Sequence, residues 1–176
     1  MLKKILIAGV VFTLFGCGGG SDNSSTTISH VLDGKWTTGC RYDASVNLAE
    51  SNIFTISGSS YSRDSSVYNT SDCSGAPSNK VAITADIDYV GKQNTSTCIA
   101  EKINITYKNI IIDGVTLNNE QFNTFIEDVG FSNPEYDISC VNSNRLWIGE
   151  KIDGKDASTE DRRPTTIDLS ISATRI

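Results

Sequence analysis

The chain has 176 residues, with 15 basic and 21 acidic side chains and a formal net charge of −6. That sizes it for one domain, or one domain with a tail. The acid excess excludes the clustered Lys and Arg with which nucleic-acid binders displace counterions, and it argues against electrostatic adhesion to anionic lipid. The only histidine is His30, in a Ser/Thr-rich stretch ahead of the first plausible strand. A folded His-dependent triad, a multi-histidine zinc site and imidazole acid–base chemistry are therefore not expected.

In chain order, Met1-Leu2-Lys3-Lys4 is a short positive segment, followed by an apolar run from Ile5 to Phe15. The run is shorter than the roughly 20 residues a membrane-spanning helix needs, and it reads as a targeting segment. It ends Leu14-Phe15-Gly16-Cys17, which resembles the lipobox of bacterial lipoproteins, with Phe15 larger than the pattern prefers. The resemblance implies cleavage before Cys17, acylation of its thiol and new amine, and, with Gly18 rather than Asp next, passage to the outer membrane. Gly18 to Thr27 is Gly/Ser-type tether sequence, which has a purpose directly after a lipid anchor. The expected organisation is a signal peptide over 1–16, a lipidated cysteine and tether over 17–30, and a folded domain over 31–176. The mature chain then carries 13 basic against 21 acidic side chains, a net charge of −8.

With Cys17 assigned to lipid, Cys40, Cys73, Cys98 and Cys140 remain, an even number in an exported chain. They read as two structural disulfides. Three pairings exist; Cys40–Cys73 with Cys98–Cys140 is favoured as the least interleaved. No Cys-x-x-Cys occurs and no histidine adjoins a cysteine, so neither a metal nor a cofactor is expected.

From Leu32 the chain reads as strands: Lys35–Tyr42, Asn52–Ile56, Tyr61–Tyr68, and then Val81–Val90 and Ile99–Ile112, which alternate apolar and polar residues on a period of two. One stretch breaks that period. Phe122, Phe125, Ile126 and Val129 fall at i, i+3, i+4, i+7, with Asn118 or Asn119 able to cap the start and Gly130 the end. This predicts a short amphipathic helix around 119–129. Strands resume at Tyr136–Val141 and Arg145–Gly149 across a hairpin-like spacer. The last strand, Thr165–Ile176, is expected to place Ile167, Leu169, Ile171 and Ala173 on one face. About eight strands with almost no βα alternation make an all-β fold: a single antiparallel barrel, or alternatively a β-sandwich.

Gly34-Lys35-Trp36 at the start of this region and Arg175 at its end resemble the lipocalin-type (calycin) pattern. That resemblance implies an eight-stranded barrel whose closed end is plugged by Trp36, with Arg175 lying across the indole. The helix that follows the last strand of true lipocalins has no counterpart before Ile176. A second resemblance, to lipoproteins of marine-type bacteria, rests on the early Trp36…Cys40, on Ser71-Asp72-Cys73-Ser74-Gly75 and on the late blocks Leu146–Glu150 and Glu160–Thr165. It implies no activity.

Catalytic constellations are weak. Asp86 and Asp88 share the outer face of their strand, and no Gly-x-Ser-x-Gly or Ser-x-x-Lys motif occurs. Asp153, Asp156, Glu160 and Asp161 crowd a polar loop with Lys151, Lys155, Arg162 and Arg163. This reads as a solvated, ion-paired segment in preference to a calcium site, with Asp161-Arg162-Arg163-Pro164 as a rim feature at the barrel mouth, where a loop arginine fixed by an acid would contact an anion or a partner. The expected function is non-enzymatic: a lipid-anchored envelope barrel, its inward Ile, Val, Tyr and Ala lining a cup for a small apolar ligand or filling it. The alternative is a structural or protein-interaction module whose acidic surface favours a basic partner. Small disulfide-bonded periplasmic barrels that inhibit lysozyme share this look.

Overall fold

The structure, a computed structural model, describes residues 30–176. The expected signal peptide, Cys17 and the tether up to residue 29 lie outside the described residues. Nine strands and one α-helix follow in chain order: β1 (Gly34–Asp43), β2 (Leu48–Ser57), β3 (Ser60–Tyr68), β4 (Asn79–Asn94), β5 (Ile99–Ile112), the two-residue β6 (Val115–Thr116), α1 (Asn119–Asp128), β7 (Glu135–Asn142), β8 (Arg145–Gly149) and β9 (Ile167–Arg175). Apart from β6, which folds back on the end of β5, each strand lies antiparallel to the next. The β1–β9 pairing completes a closed barrel of eight strands. Closure leaves the meander few open edges, the places where a sheet would pair with another chain. No helix among the described residues is long and apolar enough to cross a membrane.

The closing seam is short. Only Trp36↔Arg175 and Thr37↔Thr174 pair β1 with β9, so side chains reinforce it. The Trp36 indole is fully buried and donates to the Leu32 carbonyl at 2.9 Å. The Arg175 guanidinium lies over the ring at 4.4 Å and donates to the Val31 carbonyl at 2.6 Å. Leu32 packs beside Trp36, and His30 stacks on Tyr89 at 4.0 Å, so the segment before β1 belongs to the barrel's closed end. Arg175→Ala is expected to cost about 1 kcal/mol, the scale of a partly exposed cation–π contact with one hydrogen bond. A urea-denaturation midpoint checks this, with Arg175→Lys recovering only part of the loss.

At the opposite end α1 covers the barrel mouth. Asn118 caps it by accepting from the Gln121 amide while the Gln121 side chain accepts from the Asn118 amide, a reciprocal capping box. Gly130 follows with φ 71°, the left-handed conformation that ends a helix. Ile126, Val129 and Phe131 drop into the core, which also holds Phe54, Ile56, Tyr61, Ile83, Ile105 and Leu146.

Both disulfides form as favoured, Cys40–Cys73 and Cys98–Cys140. The first ties β1 to the β3–β4 loop near the mouth. The second ties the β4–β5 turn to β7 near the closed end.

The last strand departs from its expected single face. Ile171 and Ala173 face the barrel core, but Leu169 is 62% exposed and Ile167 joins an outer cluster with Ala100, Ile138 and Cys140. A register shift causes it: Trp147 pairs with Ser172 while its neighbour Ile148 pairs with Asp168. Asp168 accepts from both the amide and the hydroxyl of Ser170 inside that bulge. One inserted turn of this kind moves every later side chain to the other face.

Candidate functional site

The inward faces of β2, β3, β5 and β7 bring a sealed group of polar and charged side chains together under α1. On β3 the sequence Tyr61-x-Arg63-x-Ser65 places Arg63 on the same inward face as Tyr61, because strand side chains alternate. Arg63 is 3% exposed. Its Nε donates to Asn52 Oδ1 at 2.9 Å and to Ser65 Oγ at 2.8 Å, and its Nη2 reaches Glu50 Oε1 at 3.0 Å. Ser65 in turn donates to Asn52 at 2.6 Å. Asn52 and Ser65 are register partners, as are Phe54 and Arg63. The group therefore sits one step mouthward of the aromatic core.

Across the barrel, Glu135 on β7 is fully buried. The Tyr107 hydroxyl donates to its Oε2 at 2.7 Å, and the Lys151 ammonium pairs with its Oε1. Lys151 lies over the Phe131 ring at 5.6 Å, and Phe131 stacks on Tyr107 at 5.2 Å. Burial alone works against the Lys151 charge, but the carboxylates of Glu135 and Asp137 outweigh it and hold the ammonium pKa above its usual value. The Tyr107 phenol is pushed well up, first by burial and then by Glu135.

Asp137, two residues further along β7, is fully buried as well. Its Oδ1 accepts from the Ile138 amide at 2.7 Å, while Oδ2 has no hydrogen-bond partner among the described residues. Burial pushes its carboxyl up to about 7; Lys151 opposes this and Glu135 adds to it. The folded protein therefore holds a proton that the unfolded chain releases near 3.8. Because the folded state binds more protons through that window, stability falls as pH rises from about 4 to about 7, then levels off. Asp137→Asn keeps the Oδ1 acceptor and removes the titration. Its urea midpoint is expected to change less between pH 4.5 and 7.5 than that of the parent, roughly the window set by the two pKa values. Parallel profiles would overturn the assignment.

The segment between β8 and β9, expected to be a solvated, ion-paired loop with a rim feature at Asp161-Arg162-Arg163-Pro164, is largely exposed and ion-paired, but Arg163 straps it onto the barrel's outer wall. Arg163 is buried. It donates through Nη1 to the carbonyls of Ile103 (2.6 Å) and Asp137 (2.7 Å), and through Nη2 to Asn104 Oδ1 (2.7 Å). Its guanidinium stands over the Tyr136 ring at 5.5 Å. Only Arg162 stays at the surface, paired with Asp156 at 2.7 Å. Gly149 permits the close approach: a Cβ there would fall 2.3 Å from Asp137 Oδ1 and 2.6 Å from Pro164 Cβ. Arg163 is thus a strap anchor and not a rim contact. Among the described residues no group of three or more His, Cys, Asp or Glu is placed to hold a metal ion. Asp86 is exposed on the outer wall and pairs with Lys108 at 2.8 Å.

The interior charge group escaped the sequence reading. On β7 the apolar residues Ile138 and Cys140 alternate with Asp137 and Ser139, a pattern that predicts apolar side chains inward. The register reverses this. Glu135, Asp137 and Ser139 stand opposite the core residues Ile105 and Ile103 and the buried Glu101 of β5, while Ile138 and Cys140 pack outside with Ala100 and Ile167. The available signal was Arg63, a cation on the face of Tyr61 that needs an inward counter-charge.

The pocket beneath α1, bounded by Arg63, Ser65, Val81, Ile83, Phe125, Val129 and Phe131, has a volume of ≈ 10 Å³, room for about one water molecule. The charged groups are therefore enclosed by protein. They link β2 to β3 through Arg63 and β5 to β7 and the strap through Glu135. The fold and this site define a closed, disulfide-bonded, up-and-down barrel of eight strands with its mouth plugged by a helix. No protein-family model matches the sequence, and no curated protein matches it.

Proposed function

We propose that this chain is a non-enzymatic envelope protein, held at the outer membrane by lipid on Cys17, that works through its surface as a protein-interaction module. The occupied interior carries this reading. Trp36, Phe54, Tyr61 and the Arg63 and Glu135 networks fill the space in which a ligand-carrying barrel keeps a cup of about 300 Å³ or more. Trp36 with Arg175 at one end and α1 at the other also fit a calycin-type barrel that is filled. Native mass spectrometry of the protein freed of detergent tests the reading. The expected result is the chain's own mass with its covalent acyl groups; a further lipid retained stoichiometrically would sink it. Palmitate labelling tests the anchor, with label lost in Cys17→Ser.

The apolar-ligand reading keeps one observation in its favour. The cover over the mouth is a single helix held by the apolar contacts of Ile126 and Val129 and by half-buried Phe122 and Phe125, so displacing it would expose Phe131, Val81 and Ile83. Saturable uptake of a fluorescent fatty acid, abolished by a disulfide engineered between α1 and the barrel wall, would shift the balance to this second reading.

A further inference from the structure

On the outer side of α1, an open groove of ≈ 340 Å³ runs between the helix and the β5–β6 hairpin. Half-buried Ile112, Leu117 and Phe125 supply its apolar surface, and Glu120, Gln121, Thr124 and Asp128 supply the helix side. Glu120, Thr124 and Asp128 are spaced four apart and form one stripe along the helix. Val115, at the tip of the hairpin, is 67% exposed. We propose that this groove docks a basic segment of a partner protein, with an apolar side chain seated among Ile112, Leu117 and Phe125 and flanking cations facing Glu120 and Asp128.

Three observations converge on that occupant. First, the charge has one sign: α1 carries Glu120, Glu127 and Asp128 and no basic residue. Among the described residues none of the three takes part in an ion pair. Second, Glu127 and Asp128 lie at the helix C-terminus, where the macrodipole is already negative. They oppose the stability of the element that carries them, and a cation brought by a partner offsets that. Third, the groove lies at the mouth, the opposite end from His30, the first described residue. A tethered barrel would present it away from the membrane. The same charge pattern disfavours a second copy of this chain, which would bring acid against acid, and it disfavours an anionic lipid surface.

The proposal rests on the surface-interaction reading above, and photo-crosslinking of the full chain in its own envelope separates the two. A benzoylphenylalanine is placed at position 124, in the groove, or at position 169, on the exposed outer wall of β9. The expected result is an adduct from position 124 to a protein segment rich in Lys or Arg. Its yield should fall about ten-fold or more with Asp128→Lys or Glu120→Gln and hold with Asp88→Lys, since a close charge contact is local while a net-charge effect is not. Asp128→Lys puts a cation where the helix dipole favours it, so loss of the adduct cannot be ascribed to loss of the helix. Adducts from position 169 alone would overturn the groove and leave the surface reading standing. Adducts from neither position would overturn both. An adduct from 124 to lipid, to an acidic segment or to another copy of the chain, or one equally sensitive to Asp88→Lys, would overturn the basic partner.

Discussion

Replacing Glu135 with glutamine is expected to lower the free energy of unfolding by about 3–5 kcal/mol, the range for breaking a buried ion pair from one side. The geometry explains the size. Glu135 is fully buried, accepts from the Tyr107 hydroxyl and is the partner of Lys151, whose side chain is 12% exposed. Once the carboxylate is gone, the ammonium stays in a low-dielectric space against Phe131, answered by Asp137 and more weakly by Asp156. Glutamine retains the carbonyl oxygen for Tyr107, so most of the loss comes from the stranded charge. Lys151→Met reverses the asymmetry, leaving two buried acids without their cation. The double variant Glu135→Gln/Lys151→Met is expected to recover much of either loss, because a neutral, well-packed replacement of a buried pair is often tolerated. A double-mutant cycle measured by urea unfolding reads the coupling directly. Single variants that each cost under about 1 kcal/mol would place the pair in the class of exposed ion pairs, contrary to the burial seen.

How much of this was legible depended on whether a segment's neighbours were visible in its own pattern. β4 and β5 each face core on one side and solvent on the other, so their alternation gave both element and orientation. The α1 helix was readable for the same reason: one face meets the core and the other does not. β9 was misread because its register shifts midway, and the facing of β7 was hidden because its outer side is covered as well. The strap anchored by Arg163 turns the outside of β7 into a second small core, where Ile138, Cys140 and Ile167 meet. An apolar residue there no longer marks the inside. Nothing within Glu150–Pro164 marks Arg163 as buried, since its partners are the main-chain carbonyls of Ile103 and Asp137 and the side chain of Asn104, far away in sequence. The Trp36–Arg175 contact was readable only as a resemblance, because the two residues meet solely through closure of the barrel.

The filled interior also changes what the acid excess means. In a cup-shaped carrier, charge on the outside is a matter of solubility. Where side chains such as Trp36, Phe54, Tyr61 and Arg63 occupy the described interior, surface charge is the main chemical information left to present. α1 concentrates three acids, without an ion pair among the described residues, beside apolar surface. The strap region mixes both signs, with Arg162 paired to Asp156 and Lys155 donating to the Asp161 carbonyl. Acidic charge of one sign thus gathers on the helix, while the strap is tied to the barrel wall by Arg163.

Removing the disulfides one at a time is expected to produce the other large effect, and an unequal one. Cys40–Cys73 spans 33 residues and Cys98–Cys140 spans 42. On chain entropy alone each stabilises by about 4 kcal/mol, with the difference between them a few tenths. The two bonds sit at opposite ends of the barrel, which is why the least interleaved pairing is the one the fold can make. Their surroundings differ. Cys40 is exposed, so Cys40→Ala/Cys73→Ala removes a constraint and little packing. Cys140 is 1% exposed and packs with Ala100, Ile138 and Ile167. It also lies where β7 is held by short ladders, five register pairs to β5 and four to β8. Cys98→Ala/Cys140→Ala therefore loses the constraint and also opens space in the outer cluster, adding about 1 kcal/mol or more to the entropic loss. Urea unfolding of the two double variants should rank Cys98–Cys140 as the costlier, and hydrogen exchange should show the added opening confined to β7 and β8. Equal losses would mean that the outer cluster closes around the missing sulfurs, and that the strap, not the disulfide, holds β7 in place.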